Sequence, residues 1–421
     1  MLSALRHYIL FLKYTISLIN LKIFGEIIMR IYIVSLFYNN TNYGGVLQAY
    51  ALTFAINNKT KNIAKQLNYN HLEEKGTWQH KIKKIFNVKS IVVYVRKKIE
   101  KIFTVNKKKY FQQFKEQRKN AFQLFIKEKI PSTLVYEKKM IEKSLVECDI
   151  FITGSDQVWN VEYYDDVYRL EFVPPTKYKF SYAAGISSGV LSKEQQEIFR
   201  KSLNSFDSIS VREKSAVNVL QPLVDKKVEW VLDPTLLLSR EDWDNICSVN
   251  KIEERYVFCY FLGELSLSNK KIIEFARSKN LKVVSMPYLA WTSKRDSNFG
   301  DYKIYDATPP DFISLIKHAE YVFTDSFHAT VFSHIYHKNF FVFNRAGLKS
   351  MNDRIYSLTS LFDTQERFCD TKEKISLHYI EGLPPIDYSK TFPKFEAMKE
   401  KSINFLKENL KRAEEKINGI Q

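Results

Sequence analysis

Glycine and proline are scarce in this 421-residue chain, at 12 and 11, which excludes collagen-like and low-complexity architecture. Cysteine is scarcer: only Cys148, Cys247, Cys259 and Cys369 occur, and no two stand in CxxC spacing. That excludes a disulfide framework and a cysteine zinc site, and fits a reducing cytoplasm. Long apolar runs are missing as well. The first 28 residues are apolar but broken by Arg6, Lys13, Lys22 and Glu26. No stretch reaches the ~20 residues that span a bilayer, and no small-residue cleavage site follows. The alternation of a first strand begins only after Met29, so residues 1–28 read as an extension outside the fold.

Hydrophobic residues make up 45% of the chain and charged residues 26%, enough apolar content to bury a large core and too much for a disordered polyelectrolyte. At roughly 100–200 residues per domain, the length predicts two or three units. The net charge is +17, from 64 Lys and Arg against 47 Asp and Glu. Such an excess calls for an anionic partner: nucleic acid, a membrane surface or an anionic substrate. Its location narrows the choice. Between Lys75 and Ser144 stand 20 basic residues and 5 acidic ones, leaving the rest of the chain close to neutral. Phenylalanine and isoleucine recur there at mainly three- and four-residue steps between lysines, which predicts helices with one apolar and one cationic face.

Outside that segment the chain alternates buried-strand runs with helical periodicity. Ile31–Leu36, Asp149–Thr153, Tyr178–Ala184, Ser208–Val211 and Val228–Leu232 read as strands of a first domain, 29–228, interrupted by the basic helical insertion at about 75–144. Tyr256–Phe261, Leu281–Ser285, Tyr321–Thr324 and Phe340–Phe343 read as strands of a second, 229–392, with helices between. A C-terminal helix follows in 393–421. Repeated strand–helix units predict α/β architecture with parallel sheets covered on both faces.

Ligands of such sheets bind beyond the carboxyl ends of strands, where helix N-termini present free N–H groups. Four segments fall there. Asn42-Tyr-Gly-Gly45 joins a strand to a helix; Asn42 and Gly44 are candidates for close ligand approach, though the loop matches neither GxGxxG nor the Walker pattern, and a plain turn with an asparagine cap is the alternative. Gly154-Ser155-Asp156 and Trp159 follow a second strand, offering a carboxylate for sugar hydroxyls and an indole for a sugar face, or else a helix cap and a core tryptophan. Arg212, at a third strand end, presents a fork suited to carboxylate or phosphate, or to a salt bridge with Glu213 or Glu241. Ser326-Phe327-His328 opens a helix in the second domain, with His328 in its first turn as a candidate acid. His318, His334 and His337 sit within or at the ends of helices, as packed or solvated histidines.

Taken in order, five segments resemble the polysaccharide pyruvyl transferase family: Asn42-Tyr-Gly-Gly-Val-Leu-Gln-Ala-Tyr-Ala-Leu52, Asp149-Ile-Phe-Ile-Thr-Gly-Ser-Asp-Gln-Val-Trp-Asn160, Ser210-Val-Arg-Glu-Lys-Ser215, Leu232-Asp-Pro-Thr235 and Thr324-Asp-Ser-Phe-His-Ala329. The resemblance implies two Rossmann-like domains facing a cleft, as in B-type glycosyltransferases. It implies transfer of a pyruvyl group from phosphoenolpyruvate to two hydroxyls of a sugar, forming a cyclic ketal and releasing phosphate; that chemistry requires no redox cofactor, and the sequence offers no clear metal cluster. Arg212 and His328 match positions given to donor binding and catalysis. Many members carry an arginine where this chain has Ser326, so Arg354 or Arg345 is expected to supply the missing charge.

On that reading His328 protonates the enol methylene, Arg212 and helix N-termini hold the donor's anionic groups, and Asp156 assists an attacking hydroxyl. The acceptor is expected to be a lipid-linked oligosaccharide at the inner membrane face, with the basic segment docking there and no nucleic acid involved. A nucleotide-sugar glycosyltransferase of the same architecture is the alternative chemistry, and a non-catalytic basic protein binding membrane or nucleic acid the alternative class.

Overall fold

The computed structural model describes residues 22–23, 26–70, 105–161, 165–186, 189–263, 269–287, 299–344 and 352–419. Five parallel strands form the first sheet: β1 (Arg30–Val34), β2 (Ile63–Tyr69), β3 (Ser132–Tyr136), β4 (Ile150–Thr153) and β5 (Tyr178–Ser181), in the order β3-β2-β1-β4-β5. Ile31 pairs with Ala64 on one side and Ile150 on the other, and all three are fully buried. Bridges from Phe180 to Ser208 and from Ala184 to Val211 extend this sheet to the pair β6 (Ile209–Val211) and β7 (Val228–Trp230). β7 pairs with β6 in parallel, so both extend the first sheet.

The second sheet is also parallel. It holds β8 (Tyr256–Tyr260), β9 (Lys282–Ser285), β10 (Tyr302–Lys303), β11 (Tyr321–Thr324), β12 (Asn339–Phe343) and β13 (Phe368–Cys369), ordered β10-β9-β8-β11-β12-β13. Both sheets therefore start in the middle, run outward, and reverse across the first strand. That is the doubly wound Rossmann order, and it creates a switch point where ligands bind: β1/β4 in the first domain, β8/β11 in the second.

Helix α1 (Tyr43–Lys59) follows β1, and nearly all of its first fourteen residues are buried. A helix apolar all round belongs inside a protein, and α1 lies between the domains, touching α6 (Pro309–Lys317) and α7 (Phe327–Ile335) of the second. Its Tyr43 donates to the carbonyl of Ala307 at 2.7 Å and stacks on Phe312 at 4.8 Å. The closing helix α9 (Tyr388–Ile417) returns to the first domain, where Ser402 accepts from the Leu232 amide and Asn409 from the Tyr178 hydroxyl.

Of the basic helical insertion expected at about 75–144, the residues up to 104 lie outside the described residues. The described part opens with α2 (Val105–Lys129), which runs into β3, the neighbour of β2 in the first sheet. One face of α2 is structural: Phe122 and Phe125 are buried against Tyr43 and Tyr50. Arg118 is buried too, and donates to the carbonyls of Tyr305 at 2.7 Å and Pro287 at 3.3 Å in the second domain. Lys119, Lys127 and Lys129 face outward. Among the described residues, no helix is long and apolar enough to cross a membrane.

Candidate active site

The two switch points face each other, and α1 and α7 bring their N-termini together. Asn42 caps α1, its side chain accepting from the amides of Gly44 at 3.0 Å and Gly45 at 3.4 Å. Asn42 is exposed and acts as the cap. Gly44 is glycine because His328 of α7 occupies the space beside it: a Cβ there would lie 1.8 Å from His328 Nδ1. The imidazole of one domain thus rests on the backbone of the other.

Behind α1, the chain after β4 is pressed equally close. Gly154 has φ +121°, and a Cβ would meet the Tyr182 carbonyl oxygen at 2.1 Å, so only glycine fits. The Ser155 amide donates to Gln48 Oε1 of α1 at 3.1 Å, and its hydroxyl donates to the Ala183 carbonyl at 2.9 Å. Asp156, at φ 63°, accepts the Gly185 amide on its carbonyl at 2.7 Å and turns its carboxylate toward Arg212. Trp159 goes the other way. It is 2% exposed, its indole N–H donates to the Tyr168 carbonyl, and its ring packs on Phe199 and Phe206. It is a core tryptophan; the turn at Asp156 carries it away from the cleft, so it offers no face to a sugar.

Arg212 is the centre of the cluster and is enclosed by acids. Its guanidinium lies 3.3 Å from Asp156 Oδ1, 3.2 Å from Glu213 Oε1 and 3.1 Å from Asp233 Oδ2, with a side chain 1% exposed. Burial alone would lower its pKa, but Glu213, Asp156 and Asp233 together raise it above the ordinary guanidinium value. A single guanidinium is set among three acidic side chains, so Arg212 meets its partners inside the protein instead of presenting an open fork.

Asp233 ties the cluster to the second domain. One oxygen accepts from the Thr235 amide and hydroxyl at 3.0 and 2.6 Å; the other faces Arg212, the Ser155 hydroxyl at 3.3 Å and His328 Nε2 at 3.5 Å. Burial alone would raise its pKa, yet His328 first, and then Arg212 and Thr235, hold the carboxyl well below the usual range. His328 Nε2 and Glu213 Oε2 are buried, and no described residue hydrogen-bonds either. The Leu232-Asp-Pro-Thr235 segment is distinctive in the sequence, but nothing in it marks the carboxylate as the meeting point of Arg212 and His328. Glu213 is the salt-bridge partner that the sequence offers Arg212, and the pair forms, buried instead of at the surface.

Phe327 lies under two guanidinium groups, with Arg212 4.7 Å and Arg354 5.7 Å from its ring centroid. Arg354, on α8 (Asn352–Leu361), is buried, and the ring it lies over belongs to the residue after Ser326. Ser326 caps α7, accepting from the Ala329 amide at 3.4 Å. The helix therefore keeps its cap where an arginine would have brought charge. Arg345 lies outside the described residues. Asp325 accepts the amides of Leu262 and Gly263 at 2.7 and 2.8 Å, fixing the loop after β8 beside this helix.

His318, His334 and His337 are structural. His334 is fully buried between Phe362 and Phe340, and burial pushes its pKa down to about 3. His337 stacks on Tyr388 at 4.6 Å, and His318 sits at the end of α6. Among the described residues no group of three or more acids, histidines or cysteines is arranged to hold a metal ion.

Two doubly wound domains meeting at their switch points around a buried histidine and a carboxylate-ringed arginine define a two-domain α/β protein of the B-type glycosyltransferase architecture. The chain belongs to the polysaccharide pyruvyl transferase family, whose profile matches residues 42–347, more than half its length. The chain is therefore a pyruvyl transferase by family, of the kind that acts in polysaccharide biosynthesis. No curated protein matches it. Among solved structures it is similar to UDP-GlcNAc 2-epimerase from Neisseria meningitidis bound to UDP-GlcNAc, with 10% identity and a TM-score of 0.48 over 91% of this chain and 100% of that one. It is also similar to the UDP-GlcNAc 2-epimerase from Methanocaldococcus jannaschii, with 12% identity and a TM-score of 0.47 over 85% and 94%. Both are too distant to bring substrate or chemistry with them.

Proposed function

We propose that the protein transfers the pyruvyl group of phosphoenolpyruvate to two hydroxyls of a sugar in a surface-polysaccharide precursor, forming a cyclic ketal and releasing phosphate. The observation that carries this reading is the placement of His328: in the first turn of α7, against Gly44 of the facing domain, with Asp233 3.5 Å from Nε2. His328 gives its proton to the enol methylene, which becomes the methyl group, and C2 becomes oxocarbenium-like. One sugar hydroxyl adds at C2 and its proton returns to His328. The second adds as the C–O bond to phosphate breaks, and its proton leaves with the phosphate. Asp156, held by Arg212, accepts a hydroxyl proton on the way.

The ring of carboxylates changes the division of labour among the cations. A polyanionic donor laid directly on Arg212 would meet Asp156, Glu213 and Asp233 as well, and like charges in a buried site repel strongly. In this account Arg212 holds the acids in place, while Arg354 and the free amides at the start of α7 take the donor's carboxylate and phosphate. The outward lysines of α2 favour an acceptor at an anionic membrane face.

The test is incubation with phosphoenolpyruvate and a panel of lipid-linked saccharides. The expected result is inorganic phosphate with a product heavier by one pyruvyl ketal. Release of nucleoside diphosphate from a nucleotide sugar, with none from phosphoenolpyruvate, would establish glycosyl transfer instead.

A further inference from the structure

Between the domains lies a cavity of about 430 Å³, within the roughly 300–1,000 Å³ range of ligand pockets. A larger one, of about 610 Å³, sits by Arg255, Lys282 and Asp301 at the amino ends of the second sheet's strands, the wrong end for ligands of such sheets. The smaller cavity is lined by Gly189, Gln196, Ser215 and Asn218 of the first domain and Asp353 of the second. Two chain connections lead from it to the site. Ser215 stands three residues after Arg212. Asp353 precedes Arg354, which lies over Phe327. The domains approach closely here: a Cβ on Gly189 would come 3.6 Å from Asp353 Oδ2.

The chemistry of the lining is unlike that of the donor site. No lysine or arginine contributes to it, and its one ionisable group is a carboxylate. Ser215 and Asn218, three residues apart, share one face of α4 (Lys214–Leu220). Among the described residues, neither they nor Asp353 engage their side chains in hydrogen bonds. A hydroxyl, an amide and a carboxylate offered together, without a cation, match the paired hydroxyls of a neutral sugar and repel an anion.

We propose that this cavity is the acceptor subsite and takes a neutral hexose ring, gripped by Asn218 and Ser215 from one domain and Asp353 from the other. Calling its ligand the acceptor rests on the pyruvyl-transfer reading; the preference for an uncharged sugar rests on the lining alone.

The test is ligand-observed saturation-transfer NMR with the neutral methyl glycosides of glucose, galactose, mannose and N-acetylglucosamine, and with methyl glucuronide as the anionic control. Phosphoenolpyruvate binding is followed in parallel by calorimetry. At least one neutral glycoside binds the wild-type chain and the glucuronide does not. Asp353→Asn and the Ser215→Ala/Asn218→Ala double variant weaken that binding about tenfold, the loss of one good hydrogen bond. Gly189→Trp, at an exposed position, abolishes it by filling the cavity, while phosphoenolpyruvate binding is unchanged in all three. Glycoside binding that persists in Gly189→Trp and in the double variant overturns the proposal, as does the failure of every neutral glycoside to bind the wild type. Glycoside binding without phosphoenolpyruvate binding overturns the donor assignment and leaves this pocket supported.

Discussion

The imidazole of His328 and the backbone of Gly44 fill one space: a methyl group on Gly44 would begin 1.8 Å from Nδ1. Two domains that close on a ligand usually meet through mobile loops. Here they meet through the first turns of two buried helices, so the position of the His328 ring is set by the packing of α1 against α7.

Gly44→Ala is therefore expected to cost about 1–3 kcal/mol of stability, the usual result of overpacking. Its effect on turnover is larger. A ring displaced by an ångström lowers the rate by about a hundredfold. Thermal denaturation and steady-state kinetics on the same sample check both, and a variant with unchanged turnover would show that His328 does not act from this position.

Removing the carboxylate of Asp233 by Asp233→Asn leaves Arg212 short of one counter-ion, and breaking a buried pair from one side costs about 3–5 kcal/mol. Its pH signature identifies it. Asp233 titrates below its unfolded value of about 3.9, so it stabilises the fold above that pH, and the contribution is lost as pH falls below it. Acid unfolding of the variant should be flatter below about pH 4 than that of the wild type, read by circular dichroism.

His334 has the opposite chemistry and a window nearer neutrality. Its folded pKa is about 3 against about 6.5 unfolded, so the unfolded chain binds the extra proton between those values. Stability from this site is complete above about pH 6.5 and falls on acidification, by at most about 1.4 kcal/mol per pH unit. His334→Gln should remove that slope between pH 6.5 and 3 and leave donor binding unchanged; a slope that persists would place the titration elsewhere.

Arg354→Ala should raise the donor KM about 10- to 100-fold, the worth of one charge-assisted hydrogen bond, with a smaller effect on the acceptor. Ser326→Arg in that background should restore part of the loss, at the expense of the α7 cap. No recovery would sink the idea that Arg354 substitutes for the arginine absent at Ser326.

The sheets were legible because strands buried on both faces, such as Ile150–Thr153 and Tyr321–Thr324, read as unbroken apolar runs. Strand β2 was not. Ile63-Ala-Lys-Gln-Leu-Asn-Tyr69 mixes polar residues into the run, and Gln66 is fully buried because Ser35, Ala49 and Thr53 satisfy its amide. The lysines of α2 suggest a docking face, and nothing local marks that they flank the packed Phe122 and the anchoring Arg118.

At the site, the sequence order of motifs picked out Asp156, Arg212 and His328, and the structure brings these three together. It could not show that Asp156 turns inward at positive φ while Trp159 turns into the core, because the choice is made by Tyr182 pressing on Gly154. Nor could it show that Arg212 is already neutralised. Counter-ions 21 and 56 residues away in sequence have no local signature.

On the proposed mechanism, His328 drives pyruvyl transfer from phosphoenolpyruvate. The most direct measurement is the ratio of inorganic phosphate released to ketal formed on an acceptor saccharide, in wild type and in His328→Ala. One phosphate per ketal in the wild type, and neither product in a variant that melts as the wild type does, is the predicted result. Near-normal turnover in His328→Ala would contradict the account.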